Sequence, residues 1–385
     1  MAPTMDELIA EAERQLRICN SCRYCEGYCA VFPALERRTV LEAGDITSLA
    51  NLCHDCRACF YACMYAPPHE FAVNPPEILS RVRTATYRAY VPAPPLPAWL
   101  RARSARVSAA IGVGALLLAL VAVTEGIDAL FRHGGPYQLI SYPALLVTVL
   151  LPTAWSVAVM LRATARYWHD THGPLRELAD RAAWGRALIY AGRLAYLRGG
   201  GDCYYPGANP SPARRRLHAA VFYGFAACFA ATLAAAFMQD ILGIPPPYPL
   251  LSVPVILGTV GGLGMITGCA GLFVLARRGD PAPGAALGLP PERTPDEAHD
   301  EAREQTRSAA DYGLLIGLGL LAATGLLTLL LRATPAYGLV LIAHLATIVV
   351  CFCVAPYTRF AHSVYRVLAI VADNIEAASA ADRIS

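Results

Sequence analysis

The chain has 385 residues, enough for two or three domains, and 56% of them are hydrophobic against 16% charged. That composition and the positive mean hydropathy exclude an ordinary soluble enzyme, because the apolar residues gather in blocks long enough to cross a bilayer core of about 30 Å. The net charge is +3 and all 32 cationic residues are arginine, a coding bias that gives no case for nucleic acid as a partner.

Residues 1–18 contain Asp6, Glu7, Glu11 and Glu13 and no apolar core, so no signal peptide is expected and the domain that follows stays cytoplasmic. Thr4-Met5-Asp6-Glu7 has the form of a capping box and opens a helix to about Arg17. The pattern Cys-x2-Cys-x2-Cys-x3-Cys then occurs at Cys19, Cys22, Cys25 and Cys29 and again at Cys53, Cys56, Cys59 and Cys63. Four thiolates at this spacing ligate a cubane iron–sulfur cluster, and in two-cluster ferredoxins the fourth cysteine of each run serves the other cluster. Two 4Fe-4S clusters are therefore expected, one on Cys19, Cys22, Cys25 and Cys63, the other on Cys53, Cys56, Cys59 and Cys29. Structural zinc favours paired Cys-x2-Cys units and disulfides suit secreted chains without a core. Neither explains a triplet plus one, repeated. The bacterial run ends in Cys-Pro, whereas Ala30 and Met64 follow here, with Pro33 and Pro67 slightly later.

Between the runs stand helix formers without two-residue alternation, so residues 1–90 are expected to form an α-helical ferredoxin-like domain. His54 and His69 flank the second run, where His54 could tune a cluster through hydrogen bonding. A short helix is expected from Pro76 to Arg88, then a proline-rich linker over 91–106 that holds the clusters at a fixed height above the membrane.

A transmembrane helical domain is expected over 107–370, with spans near 107–124, 140–161, 218–238, 251–276, 313–331 and 338–356, and a polar tail over 371–385. The 162–217 and 277–311 loops are rich in arginine, while 239–249 has none, so the positive-inside rule puts those loops, the cluster domain and both termini in the cytoplasm. An internal repeat supports the pairing of spans: Pro136-Tyr-Gln-Leu-Ile-Ser-Tyr-Pro143 returns as Pro247-Tyr-Pro-Leu-Leu-Ser-Val-Pro254. In the 162–217 loop, Leu175, Leu178, Ala182, Ile189 and Leu197 mark an amphipathic segment suited to the membrane surface. Cys203-Tyr-Tyr-Pro206 reads as an exposed partner contact or simply a lone cysteine, and His169 and His172 as surface residues or contacts of a quinone head group. Cys228, Cys269, Cys351 and Cys353 lie in spans and are expected to pack as small apolar residues.

Histidines in spans are functional hypotheses by default. His218 starts span three, His344 lies in span six, and His362 follows it by 18 residues, about 27 Å along a continuous helix. Span three is antiparallel to span six, so His218 lies at the depth of His362 and the two could ligate one b-type haem. Eighteen residues beyond His218 stand Ala236, Met238 and Gln239 but no histidine, so a second haem on His344 lacks its partner. The competing reading is three hydrogen-bonded helix histidines.

Cys22-Arg-Tyr-Cys25-Glu-Gly-Tyr-Cys29-Ala-Val-Phe-Pro33, the run from Cys53 to Phe71, Phe222-Tyr-Gly-Phe225, Pro247-Tyr248-Pro-Leu250 and Pro356-Tyr357 with His362 resemble the tricarballylate and citrate utilization protein B family. The cluster half is similar to α-helical ferredoxins of heterodisulfide reductase type, and the end of span six resembles the haem-binding γ subunit of respiratory nitrate reductases. The family resemblance implies an iron–sulfur partner of a separate FAD-dependent tricarballylate dehydrogenase, reoxidising its flavin and passing electrons to quinone in the bacterial inner membrane. No Gly-x-Gly-x-x-Gly fingerprint follows a strand here, so substrate chemistry is expected in another chain. The alternatives are a subunit of another flavin or thiol oxidoreductase complex, a transporter, or a redox sensor.

Overall fold

The computed structural model describes residues 3–91, 103–132, 135–198, 203–278 and 295–382. Residues 92–102 of the expected linker and 279–294 of the expected 277–311 loop fall outside them, and the rest of that loop, from Pro295 on, is helical because it continues the next helix without a break. Among the described residues every regular element is a helix, and the one pairing of extended chain is an isolated bridge between Cys203 and Ser211.

The first helix, α1 (Met5–Cys22), starts where expected: Thr4 Oγ1 accepts from the Glu7 amide while Glu7 Oε2 accepts from the Thr4 amide at 2.7 Å. Such a cap is worth about 1 kcal/mol. The helix runs past Arg17 and carries Cys19 and Cys22 in its last turn. Next come α2 (Val31–Glu36), α3 (Ala43–Leu52), α4 (Ala58–Tyr61) and α5 (Pro75–Tyr90), the last capped by the Asn74 side chain with Pro75 and Pro76 in its first turn. Leu16, Leu35, Ile46, Leu49 and Leu79 are fully buried between these helices. That core is what the 3.6-residue pattern can build without a sheet.

The remaining helices are α6 (Arg103–Thr124), α7 (Tyr142–Thr171), α8 (Arg181–Gly192), α9 (Ala213–Asp240), α10 (Val253–Arg277), α11 (Pro295–Leu330), α12 (Tyr337–Val354) and α13 (His362–Asp382). Five described stretches are long and apolar enough to cross a membrane: Tyr142–Thr171, Ala213–Asp240, Val253–Arg277, Tyr312–Leu330 and Tyr337–Tyr357. The first of the six expected spans lies in α6, whose apolar part, Ile111–Thr124, is shorter than the rest. Helix α9 packs on α10, α10 on α11, α11 on α12, and α12 on both α6 and α7. Leu151, Leu251 and Val260 point outward, as side chains facing lipid do. The internal repeat is a helix-start signal used twice: Ser141 and Ser252 are the N-cap residues of α7 and α10, with Pro143 and Pro254 in the first turns.

At 30 residues α7 is about 45 Å long, more than a bilayer core needs. Its far end carries Val159, Ala163, Tyr167 and Trp168 into the same core as α1, α2, α3 and α5. Contact there is close: a Cβ on Gly44 of α3 would stand 2.7 Å from the Asp170 carbonyl oxygen.

Two expectations change. The helix through span six is not continuous to His362: α12 stops at Val354, and short 3₁₀ turns at Ala355–Tyr357 and Arg359–Ala361 precede α13. Pro356, lacking an N–H, accounts for the break. The 371–385 tail is helical to Asp382, and α13 buries Tyr365, Leu368, Val371 and Ala372 in the core shared with the cluster domain. Arg37 pairs with Asp373, and Arg38 bridges Asp45 and Glu376 at 2.7 Å each.

Candidate redox centres

Tight backbone places the eight cysteines. Cys19 and Cys22 end α1, after which Arg23 (φ 55°) and Gly27 (φ 85°) turn the chain through left-handed conformations towards Cys25 and Cys29. Cys53 caps α3, Asp55 (φ 52°) and Arg57 (φ 63°) flank Cys56 in left-handed turns, and α4 carries Cys59 just before Cys63. Left-handed non-glycine residues are costly and persist where surrounding structure holds them.

The fourth cysteine of each run lies with the other run. Cys63 lies close enough to raise the pKa of Cys19 and Cys25 and is itself raised by Cys22, while Cys29 acts on Cys59 and is raised by Cys53 and Cys56. The two sets touch through Cys25 and Cys59. Burial and the neighbouring thiols push Cys19 up to about 12 and Cys25 and Cys56 up to about 11, and raise Cys29, Cys59 and Cys63. Thiols that oppose each other's ionisation ligate as thiolates only around added cationic charge, which iron supplies. Among the described residues no three His, Cys, Asp or Glu side chains converge on a single metal ion. A cubane makes no such demand, since its four ligands sit on four different irons. Cys29, Cys53, Cys56 and Cys59 line one small pocket together with His54 and Tyr196.

The sets differ in exposure. Cys22 is exposed, whereas Cys53 and Cys56 are buried. The 203–206 segment, expected to be exposed, instead covers the second set: Cys203 is 2% exposed beside Cys56, and the Tyr204 amide donates to the Cys56 carbonyl at 2.8 Å. His54 hydrogen-bonds the Leu52 carbonyl at 2.8 Å and packs on Tyr196, and burial holds its ring well below the ordinary histidine range. His69 lies further out in an aromatic group with Tyr65 and Phe71.

His218 on α9 and His362 at the start of α13 face each other, with ring centroids 6.2 Å apart and planes at 81°. Were a haem iron bound here, His218 and His362 are the two side chains that would hold it. His362 Nδ1 donates to the Arg359 carbonyl, which leaves Nε2 with a free lone pair, the form a metal takes. Burial, with Arg366 beside it, pushes His362 down to about 3 and keeps it neutral. His218 Nδ1 is buried without a partner. His344 stands apart from this pair, its Nδ1 hydrogen-bonded to Thr324 Oγ1 at 2.9 Å against Gly325. Gln239, at the depth where a second haem would need a ligand, accepts from the Tyr137 hydroxyl.

His172 is not a surface residue. Its side chain is 6% exposed and its Nε2 lies 3.1 Å from Ser48 Oγ, while His169 remains exposed beside Asp170. Sequence reasoning missed three arginines at the centre. Arg83 of α5 is 8% exposed and donates to the carbonyls of Ala50 (3.1 Å) and Cys53 (2.7 Å). Arg214 donates to the Asp55 carbonyl and to Cys203 Sγ (3.5 Å), and Arg366 has its Nε buried without a partner. The spacings Arg214/His218 and His362/Arg366 were the available signal.

Comparison with known proteins agrees with this geometry. A family model described as "Citrate utilization protein B Fer4-like domain" matches residues 12–89, which hold all eight cysteines, and one described as "Citrate utilization protein B" matches residues 99–382. Citrate utilization protein B of Escherichia coli is 36% identical over 389 residues, covering 97% of this chain and 94% of that one. No solved structure matches. The N-terminal cysteine-rich region is thus an iron–sulfur domain of Fer4-like type joined to membrane-spanning helices, and the chain belongs to the citrate utilization protein B family.

Proposed function

We propose that the protein carries electrons from a flavoprotein dehydrogenase acting on tricarballylate or citrate to quinone in the bacterial inner membrane, with the cluster domain and both termini in the cytoplasm. The observation that supports this most is the order of the centres: a thiol set that includes the exposed Cys22, a set in contact with it that includes the buried Cys53 and Cys56, and a histidine pair where α9 and α13 begin. In this reading Cys19, Cys22, Cys25 and Cys63 hold one 4Fe-4S cluster, Cys29, Cys53, Cys56 and Cys59 the other, and His218 and His362 one b-type haem. When bound, these groups supply one-electron carriers. The residues do the rest. The helices fix the thiol sets edge to edge through Cys25 and Cys59, the 203–206 segment and α13 cover the inner set, and the Arg359 carbonyl sets the tautomer of His362. Arginine-rich segments on the cluster side support the orientation.

Protein purified anaerobically from a haem-competent host should contain about eight irons and eight sulfides per chain and one haem by pyridine haemochrome. Mixing it with the reduced dehydrogenase should bleach cluster absorbance before a quinone analogue is reduced. Absence of haem would remove the inner carrier, and clusters left oxidised by the reduced flavoprotein would remove the donor.

A further inference from the structure

The positive charge around the two thiol sets is unequal. Besides Arg57, which lines the inner pocket and pairs with Asp55, three arginines stand at the inner set: Arg83 on the carbonyls of Ala50 and Cys53, Arg214 on the carbonyl of Asp55 and on Cys203 Sγ, and Arg366 within electrostatic reach of Cys53 and of both Arg83 and Arg214. Arg214 lies four residues before His218 on α9 and Arg366 four residues after His362 on α13. Residues four apart share a helix face, so each histidine of the pair has an arginine one turn away. In contrast, the groups that act on Cys19 and Cys25 of the outer set are other cysteines alone. Arg37, Arg38 and their carboxylate partners form a separate group.

Buried charge needs compensation. A four-thiolate cluster is anionic and becomes more so on reduction, and the potentials of such clusters follow local charge and hydrogen bonding. Arg366 remains a cation at neutral pH, burial and Arg83 lowering it only to about 10. We propose that Arg366, with Arg83 and Arg214, raises the reduction potential of the cluster on Cys29, Cys53, Cys56 and Cys59 above that of the cluster on Cys19, Cys22, Cys25 and Cys63, giving the path its direction. The step served is the passage of one electron from the outer ligand set to the inner, oxidising the first and reducing the second with no bond made or broken. The reductant is the partner's reduced flavin. This inference rests on the cluster assignment proposed above.

Arg366 is the residue to test, because Arg83 and Arg214 also hold the 50–55 loop. The two clusters are titrated by redox potentiometry with electron paramagnetic resonance in the full-length protein, alongside its Arg366→Gln and Arg366→Lys variants. Only samples with full iron content are compared. The glutamine variant should lower the midpoint of the inner cluster and leave the outer one in place, and the lysine variant should restore it. Arg366→Met is read in the same way if the glutamine variant does not assemble. Unmoved cluster potentials, or equal shifts in both, overturn the inference. A change confined to haem content or haem potential also overturns it, assigning Arg366 to the haem carboxylates instead. Wild-type protein without clusters defeats the cluster assignment itself, an outcome separate from these.

Discussion

Cys63 and Cys29 each belong by sequence to the run they close and by contact to the other run. This crossing makes the two centres separable by single substitutions. Cys63→Ser should spare the set of Cys29, Cys53, Cys56 and Cys59, and Cys29→Ser should spare the set of Cys19, Cys22, Cys25 and Cys63. Each variant should keep about four of about eight irons and one of two distinct paramagnetic signals, with opposite signals lost. If both serines removed the same signal, the crossed assignment would be wrong. The expectation of crossing comes from spacing alone, because the ligand pattern of each run is written over a few residues. Cys203 was not legible in that way, since nothing within its own segment shows that Arg214 and Cys56 lie against it.

Among the helices, the α9–α10 contact sets where His218 stands. The backbones approach over glycine: a Cβ on Gly224 would meet the Gly261 carbonyl oxygen and the Met265 amide at 2.8 Å each, and one on Gly261 the Gly224 carbonyl oxygen at 2.7 Å. Backbone atoms cannot swing aside as a side chain would, so Gly224→Leu has to separate the helices, at a cost of about 1–3 kcal/mol or more. Gly112 on α6 meets nothing within 4 Å and is the control. Gly224→Leu should lower the melting temperature in detergent and reduce haem content through displaced α9, whereas Gly112→Leu should do neither. Equal behaviour of the two would show that the close approach carries no structural weight. At this scale the sequence was informative about length and apolarity, which mark spans, and about the cap at Thr4. It misled where tertiary packing overrides composition. The tail looks polar, but α13 puts Leu368 and Val371 on one face and Asp373 and Glu376 on another, so the chain beyond the last span returns to pack against the cysteine-rich domain.

In the whole molecule, cluster domain and membrane domain are joined by a junction that combines apolar packing with ionisable groups. His172, at the end of α7, faces Ser48, Asp45 and Arg38 from the cluster domain, Trp168 from its own helix and Glu376 from α13. Burial first, then Arg38, pushes it from its ordinary 6.5 down to about 4, with Asp45 opposing. The sign follows from linkage. A released His172 takes up a proton below about 6.5 while the docked one does not until near 4, so its contribution is complete above about 6.5 and is lost as pH falls towards about 4. The shift corresponds to about 3 kcal/mol at most. Asp373 and Glu376 act in the opposite sense: burial raises both despite Arg37 and Arg38, so they bind protons more readily when docked and offset part of the loss. His172→Gln isolates the histidine, since the carboxylates remain. Hydrogen exchange of the α3 amides should rise from about pH 7.5 to about pH 5, corrected for intrinsic exchange, in wild type and change less in the variant. Parallel profiles in the two proteins would assign the pH response to the carboxylates and remove His172 from the junction's energetics. The expected divergence would mean that acidification loosens the seat of the clusters before it touches their ligands, because the protonated group faces Asp45 and Ser48 of α3, whereas Cys53 caps that helix's C-terminal end.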